Sequence, residues 1–194
     1  SARCARSNYK PIRPLISFTD DDGKIGVYTK WKPIMQNKDI PITMAIITSS
    51  VGNSGYMTWE QILELKNDYG CEIMSHTVSH NNIGFHATNK SWIEELKQSK
   101  DVLHEHGIPV RGIAYPNGGM YGTQEGLVDG TPNATWMTAL FYDWAVTTQN
   151  KLNLSPLTSN VMIDRVSIGS YNNSGAETLD DWKRRVDECI ENNG

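Results

Sequence analysis

Short apolar runs alternate along this chain with longer segments whose apolar residues recur at helical spacing. The apolar runs predict six strands, at 15–19, 42–48, 71–75, 110–115, 143–148 and 161–168. The helical spacing predicts helices at 25–37, 58–69, 91–106 and 135–142, and from 178 to the last residues. Because strand and helix alternate through the whole length, we predict an α/β fold with a largely parallel sheet and right-handed crossovers.

Two predicted helices carry a strong start signal. Thr58-Trp-Glu-Gln61 and Ser91-Trp-Ile-Glu94 both match the capping box, in which an N-cap hydroxyl and a side chain three residues later exchange hydrogen bonds with the backbone. Gly70 and Gly107 follow the two helices as stop signals. These signals support the helix assignments independently of the apolar pattern.

The 194 residues are enough for one domain with a hydrophobic core. We predict a polar arm at 1–13 and a single domain at 14–194. Six strands with helices outside, and polar clusters at several strand ends, favour barrel-like closure over a flat sheet.

Composition and charge narrow the classes of function. A net charge of -4 and a pI of about 5.7 provide no basic surface for nucleic acid or anionic membrane. There is no apolar run of membrane-spanning length and no signal-peptide pattern. Three cysteines, Cys4, Cys71 and Cys189, are too few and too scattered for a disulfide framework or a zinc knuckle.

Candidate metal ligands follow two of the predicted strands. His76 and His80 are four residues apart after the third strand, and Asp20, Asp21 and Asp22 follow the first. Two imidazoles and a carboxylate would supply three ligands and leave a position for water, as in a catalytic zinc site. Alternatively, the histidines form a hydrogen-bonded surface turn and the carboxylates a solvated turn or a Mg or Ca loop. The location at strand ends favours the site.

Three motifs, taken together, resemble a known family. Ser17-Phe-Thr-Asp-Asp-Asp-Gly23, His76-Thr-Val-Ser-His80 and Ala114-Tyr-Pro-Asn-Gly118 occur in the order found in the NodB-like polysaccharide deacetylases, the fourth family of carbohydrate esterases. The likeness runs from about residue 15 to the end of the chain. The third motif resembles that of a subset of the family in which the motif reads Ala-Tyr-Pro.

The resemblance implies a distorted (β/α)7 barrel and a metal, usually zinc, with cobalt, nickel or another divalent cation as alternatives. Asp22, His76 and His80 would hold the metal, and Asp21 would be the general base. The backbone N–H of Asn117 would donate to the oxyanion. Substrate contacts are expected from the rest of the third motif, at Tyr115, Pro116 and Gly118. Asp20 stands where many relatives have a residue that is not an acid.

One departure concerns the arginine that many members carry in the third motif, where it pairs with the catalytic Asp. That position is Ala114 here. In the Ala-Tyr-Pro subset a later arginine can serve, and Arg165 is our candidate; alternatively Arg165 pairs with Asp164 or another surface acid. Arg111, at the start of its strand, is a weaker candidate.

A second departure concerns the family's last motif, a strand ending in Leu-x-His whose histidine is the general acid. The chain stops at 194, about where that strand should begin, so we expect an incomplete barrel. Either the chain is truncated, or the acid comes from elsewhere, or the protein hydrolyses poorly. His86 is a weak substitute, and His104 and His106 are expected near a helix end. We expect this form to keep the metal and lose most amide deacetylation.

The leading functional hypothesis is removal of acetyl groups from an N-acetylated polysaccharide: peptidoglycan, chitin-like chains or poly-N-acetylglucosamine. The alternatives are an O-acetyl polysaccharide esterase and an inactive sugar-binding domain on the same scaffold. We expect an acetylated polysaccharide partner, no nucleic acid, no membrane insertion, and an extracellular or cell-surface location inferred from the resemblance alone. Four aromatic residues near the site-side loops are candidates for stacking on sugars or for ordinary core positions: Tyr56, Tyr115, Tyr121 and Trp136.

Overall fold

The computed structural model describes residues 15–81, 91, 93–118, 134–148, 153, 157, 159–166 and 178–192. Within these residues, five parallel strands form one sheet in sequential order. They are Thr19–Asp20 (β1), Thr43–Ile46 (β2), Glu72–Ser75 (β3), Gly112–Ala114 (β4) and Trp144–Val146 (β5). An isolated parallel bridge between Val146 and Ile163 continues the pairing beyond β5. The sheet curls into part of a barrel, which confirms the predicted incomplete (β/α) barrel.

Helices occupy the connections that the apolar spacing predicted. They are Lys32–Lys38 (α1), Trp59–Tyr69 (α2), Ser99–Glu105 (α3), Ala134–Ala139 (α4) and Leu179–Asn192 (α5). A π-helical turn, Val27–Trp31, leads into α1, and a second, Glu94–Gln98, leads into α3. None of the helices among the described residues combines the length and the apolar character that a membrane span requires.

The first predicted capping box forms as expected at the start of α2. The Gln61 backbone N–H donates to Thr58 Oγ1 at 3.3 Å, and the Thr58 N–H donates to Gln61 Oε1 at 2.9 Å. Gly70 ends the helix in the left-handed conformation at φ 69°. The second predicted box includes Trp92, which lies outside the described residues.

The structure differs from the sequence prediction mainly at strand ends. The first strand, predicted at 15–19, forms at Thr19–Asp20. Of the described part of the sixth predicted strand, residues 161–166, only Ile163 pairs with the sheet. On the side that faces β5, the Thr147 carbonyl accepts from Arg165 Nε at 3.1 Å instead of from a backbone N–H. On the opposite side, the Asp164 N–H donates to Asn153 Oδ1 at 2.8 Å, and the Asp164 carbonyl accepts from Asn153 Nδ2 at 2.6 Å.

Both faces of the sheet are buried, as the nearly continuous apolar strands predict for parallel pairing. Side chains on the outer face pack against the helices; they include Met44, Ile46, Ile73, Ile113 and Ala145. Side chains on the inner face form a smaller cluster of Ala45, Met74, Ala114 and Val146. Because the strands are all parallel, the carboxyl ends of β1, β3 and β4 lie on one rim, where the polar motifs begin.

Gly112 lies opposite Trp144 in the β4–β5 pair, and a side chain there would collide with the indole ring. A Cβ on Gly112 would approach Trp144 Cζ2 to 2.2 Å. We expect Gly112→Ala to lower the free energy of unfolding by about 1–3 kcal/mol, in the range typical of overpacked cores. Urea unfolding followed by circular dichroism measures the change.

Gly26→Ala is the matched control, since a Cβ at this helical position has no neighbour within 4 Å. It should leave stability unchanged or raise it by up to ~1 kcal/mol. Equal unfolding midpoints for the two alanine variants would contradict the packing described for β4 and β5.

Candidate functional site

Three side chains converge at the rim formed by β1 and β3. Asp22 Oδ1 lies 3.4 Å from Nε2 of His76 and 3.4 Å from Nε2 of His80. One ligand atom from each residue lies within 4.8 Å of the others. A carboxylate and two imidazoles are a common donor set for a catalytic divalent cation, so the residues fit the metal that the sequence implied.

A tight turn after β1 brings Asp22 to the site. Asp22 and Gly23 both adopt positive φ, at 75° and 70°. The Gly23 carbonyl accepts a hydrogen bond from the Met57 N–H at 3.0 Å. Gly23 is needed here because a Cβ would press within 3.1 Å of Ile46 Cδ1 and because positive φ is costly with a side chain. Aspartate tolerates the left-handed region better than most residues, so Asp22 can hold the neighbouring position.

His76 directly follows β3 and is fixed in orientation. Its N–H donates to the Ile46 carbonyl at 2.9 Å, and its side chain is only 1% exposed. Nδ1 lies 2.8 Å from the Ala114 carbonyl oxygen. Since that oxygen only accepts, Nδ1 carries a proton, and in the neutral ring the Nε2 lone pair points toward Asp22.

His80 reaches the site through a strained turn. Thr77 and His80 have φ values of 67° and 61°, and the His80 N–H donates to Thr77 Oγ1 at 3.1 Å. Burial lowers the pKa of His80, and the electrostatic interaction with the neighbouring His76 lowers it further. The neutral imidazole is therefore favoured, and it is the form that binds a metal.

Asp21 binds Arg165, whereas the adjacent Asp22 contacts the two histidines. Its carboxylate accepts two hydrogen bonds from Arg165, from Nη1 to Oδ1 at 2.7 Å and from Nη2 to Oδ2 at 2.9 Å. Burial by itself would raise the pKa of Asp21, but the hydrogen bonds and charge of Arg165 outweigh it and hold the pKa below its ordinary value. Asp21 Oδ2 also lies 3.9 Å from His76 Nε2, so a carboxylate with a lowered pKa lies beside the three converging groups.

Asp20 and Asp22 have different partners, and their pKa values shift in opposite directions. Asp20 Oδ2 accepts from the Trp31 indole N–H at 3.0 Å, yet burial and the neighbouring charges raise its pKa. The pKa of Asp22 is lowered, chiefly by its polar contact with His76, which outweighs burial. Three consecutive acids thus have three distinct environments, and Asp20 is the one that most readily holds a proton.

The Arg165 guanidinium is also held by hydrogen bonds to two threonines, one just after β5 and one in β1. Its Nε donates to the Thr147 carbonyl at 3.1 Å and its Nη1 to Thr19 Oγ1 at 3.0 Å. The alternative partner, Asp164, instead accepts from Thr147 Oγ1 at 2.7 Å. The weaker candidate, Arg111, pairs with an exposed acid on the surface.

A family model described as polysaccharide deacetylase matches residues 8–126, which include the turn with Asp22 and both histidines. The chain belongs to the polysaccharide deacetylase family. The family match does not separate subsets, so assignment to the Ala-Tyr-Pro subset stays a prediction.

Individual members of the deacetylase family match with lower coverage. YxkH of Bacillus subtilis (strain 168), whose name places it among the polysaccharide deacetylases, is 31% identical over 71 residues, which are 37% of this chain and 25% of YxkH. The chain therefore spans about a quarter of this curated relative.

Two solved structures share the fold of this family member. Streptococcus pyogenes deacetylase PplD, solved in complex with acetate, is 26% identical with a TM-score of 0.70, covering 82% of this chain and 67% of PplD. BC0361, a polysaccharide deacetylase from Bacillus cereus, is 26% identical with a TM-score of 0.64, covering 78% of this chain and 46% of BC0361.

The third motif lies at the end of β4, beside the converging side chains. Pro116–Gly118 forms a 3₁₀ turn in which Asn117 is exposed and has φ 56°. Tyr115 is 1% exposed, and its hydroxyl donates to the Val161 carbonyl at 3.2 Å, so its ring is a core side chain. The roles predicted for Asn117, Tyr115, Pro116 and Gly118 stay predictions.

The remaining candidates have contacts of other kinds. Tyr56 forms a cation–π contact with Lys24, whose Nζ is 3.9 Å from the ring centroid. His106, in the turn after α3, stacks on Trp59. Three further candidates fall outside the described residues or side chains: His86, Tyr121 and Trp136.

Two partners in the site were missed by sequence analysis. Trp31 supports Asp20, and the Ala114 carbonyl fixes His76. The apolar spacing places Trp31 on a helix but does not say which way its indole N–H points. A backbone carbonyl leaves no signal in a sequence at all.

Removing the guanidinium from Arg165 should leave the partly buried carboxylate of Asp21 without its partner. We expect Arg165→Met to lower the free energy of unfolding at pH 7 by about 1.5–3 kcal/mol, the usual range for hydrogen bonds to charged groups. The folded-state pKa of Asp21 is depressed, so this stabilisation is present above the ordinary aspartate pKa and is lost as pH falls through the folded-state value. Urea unfolding at several pH values, with chelator present, measures both effects.

Arg111→Met is the matched control, because its ion pair with Asp143 is 78% and 58% exposed. Exposed pairs contribute about 0–1 kcal/mol. A loss for Arg165→Met no larger than that of the control, or one that grows in acid, would contradict the assignment.

Proposed function

We propose that this chain is a metal-dependent deacetylase that hydrolyses acetyl groups from an N-acetylated polysaccharide, with zinc as the expected cation. The convergence of Asp22, His76 and His80 beside the Asp21–Arg165 pair carries the proposal. Membership of the polysaccharide deacetylase family supports it. So does the fold shared with PplD, a deacetylase whose structure contains acetate, the product that this chemistry would release.

Asp22, His76 and His80 would hold the cation, with the Nε2 atoms of both histidines directed at it. When bound, a divalent cation polarises the acetyl carbonyl and makes a water nucleophilic near neutral pH. The Ala114 carbonyl keeps the His76 ring from rotating, and the Thr77 hydroxyl helps to orient the His80 backbone. The protein thus supplies an oriented ligand set.

Asp21 would accept the proton from the attacking water. This role needs an ionised carboxylate close to the site, and Arg165 maintains that state by bonding both carboxylate oxygens. The backbone N–H of Asn117, in the turn after β4, would donate to the oxyanion. Pro116 and Gly118 belong to the same turn and would line the substrate path.

The substrate class follows from the family and so remains part of the proposal. Peptidoglycan, chitin-like chains and poly-N-acetylglucosamine all present acetamido groups on a sugar backbone. Polymers of this kind are found outside the cytoplasm, so we infer an extracellular or cell-surface location. We do not expect the protein to bind nucleic acid or to insert into a membrane.

Metal content tests the ligand set without any assumption about substrate. We expect about one divalent cation per chain after loading with zinc and dialysis, measured by elemental analysis. The triple variant Asp22→Ala, His76→Ala, His80→Ala should retain almost none. His104→Ala, which removes an exposed imidazole on α3, is the control and should bind like the wild type. Failure of the wild type to take up zinc or cobalt would refute the metal site.

Loss of the proposed base should reduce catalysis while sparing the metal. We expect Asp21→Asn to slow the acetate release that this form retains by about 10²–10⁴-fold, the usual contribution of general acid–base catalysis, with metal content unchanged. Acetate release from N-acetylglucosamine oligomers and peptidoglycan fragments measures the rate.

Asp20→Asn is the matched control, because the amide oxygen can still accept from the Trp31 indole. It should keep activity within a few-fold of wild type. Acetate released only from O-acetylated xylan would favour the esterase alternative. Glycan binding without acetate release from either substrate would favour a sugar-binding domain.

A further inference from the structure

The segment from His76 to His80, here called the ligand loop, is bound at its middle by the carboxylate of Glu95. Glu95 lies outside the loop, in the π-helical turn Glu94–Gln98. Glu95 Oε2 accepts the backbone N–H groups of Val78 at 2.9 Å and Ser79 at 3.0 Å, and Oε1 accepts the Ser79 hydroxyl at 2.5 Å. A single side chain therefore receives three hydrogen bonds from two residues that lie between the histidines.

Each of the five backbone N–H groups of the loop has a hydrogen-bond acceptor. The His76 N–H donates to the carbonyl of Ile46, and the Thr77 N–H to the hydroxyl of Ser75. The His80 N–H donates within the loop, to Thr77 Oγ1. The two central donors, of residues 78 and 79, both end on Glu95. Glu95 is thus the one partner of these five donors that comes from a helical segment.

The same loop is held from its other side by the turn after β2. The Thr48 N–H donates to the Thr77 carbonyl at 3.2 Å, and the Ser49 N–H donates to the Val78 carbonyl at 3.0 Å. The loop is therefore clamped between this turn and Glu95. The clamp matters because Thr77 and His80 both have positive φ, a conformation that costs free energy and persists only where surrounding contacts enforce it.

The position of Glu95 is fixed by its own neighbours. The next residue, Leu96, is fully buried, and its carbonyl accepts from the Tyr142 hydroxyl at 2.8 Å and from Ser99 Oγ at 3.0 Å. Ser99 Oγ in turn accepts from the hydroxyl of Ser75, the last residue of β3, at 2.8 Å. The π-helical turn is thus tied to the strand that delivers His76, so the carboxylate and the ligand loop share one rigid base.

We propose that Glu95 is a positioning residue that sets the place of His80 relative to Asp22 and His76 and so determines metal affinity. The inference rests on the metal site of the proposed function. Glu95 acts through the backbone of residues 78 and 79, and its carboxylate contacts none of the three ligand side chains. Without it, two adjacent donors would turn to solvent, and the strained turn would relax away from the geometry that brings His80 Nε2 to 3.4 Å from Asp22.

Zinc affinity and amide exchange together test this role. We expect Glu95→Ala to raise the dissociation constant for zinc about 10–100-fold, as is typical for groups that orient metal ligands, measured by competition with a chromogenic chelator. In the metal-free protein, hydrogen exchange by NMR should quicken at Val78 and Ser79 and stay unchanged at Met44 and Ala45 in β2. Glu95→Gln keeps one oxygen for the two N–H groups and should lose less affinity.

Glu105→Ala is the matched control, since it removes an exposed acid from the far end of the same helical segment. Its zinc affinity should equal that of the wild type. Zinc affinity of Glu95→Ala within twofold of wild type, or an equal loss in Glu105→Ala, would overturn the positioning role while leaving the metal site intact. A wild-type protein that binds no divalent cation would overturn the metal site itself, and the metal-positioning role with it.

Discussion

The ion pair between Arg165 and Asp21 is the contact on which the arrangement of the site depends. Arg165 lies two residues beyond Ile163, which pairs with β5, whereas Asp21 follows β1 at the opposite edge of the sheet. In a flat sheet of this order the segment with Ile163 and Arg165 would lie five strand spacings from β1, or about 24 Å at about 4.8 Å per strand. An arginine side chain is much shorter than that. The bidentate contact therefore requires the sheet to curl, and the curl brings the ends of β1 and β5 to one site.

The same pair solves an electrostatic problem that the sequence creates. Three consecutive carboxylates at a half-buried strand end repel one another, and burial penalises each charge. The structure assigns each acid a separate partner: the Trp31 indole for Asp20, Arg165 for Asp21, and the histidines for Asp22. The result is that the pKa of Asp20 is raised, whereas the pKa values of Asp21 and Asp22 are lowered. The base and the metal ligand of the proposed function both need the ionised form, so the lowered pKa values suit the roles proposed for Asp21 and Asp22.

Much of the fold and of the candidate site could be predicted from the sequence, because strand ends and motif spacing are local properties. The apolar runs located all five strands of the described residues, and the four-residue spacing of His76 and His80 indicated a shared ligand turn. Contacts that depend on how helices pack were not predictable. The spacing that places Glu95 on a helix does not reveal that its carboxylate faces two backbone donors. Likewise, the sequence does not reveal that the Thr147 carbonyl, beside the described part of the sixth predicted strand, accepts from the Arg165 guanidinium instead of from a backbone N–H.

The packing of the inner cluster bears on both the alanine at 114 and the arginine at 165. Ala114 is fully buried in the inner cluster with Ala45, Met74 and Val146. An arginine at this position would have to displace that cluster, and its charge would enter an apolar interior. A guanidinium arriving from beyond β5 reaches Asp21 while the cluster stays closed, and it is anchored on the way by the Thr147 carbonyl. The carbonyl of Ala114 accepts from His76 Nδ1 and so orients its ring. A positive charge that comes from beyond β5 is therefore compatible with the closed inner cluster and with the contact that orients His76.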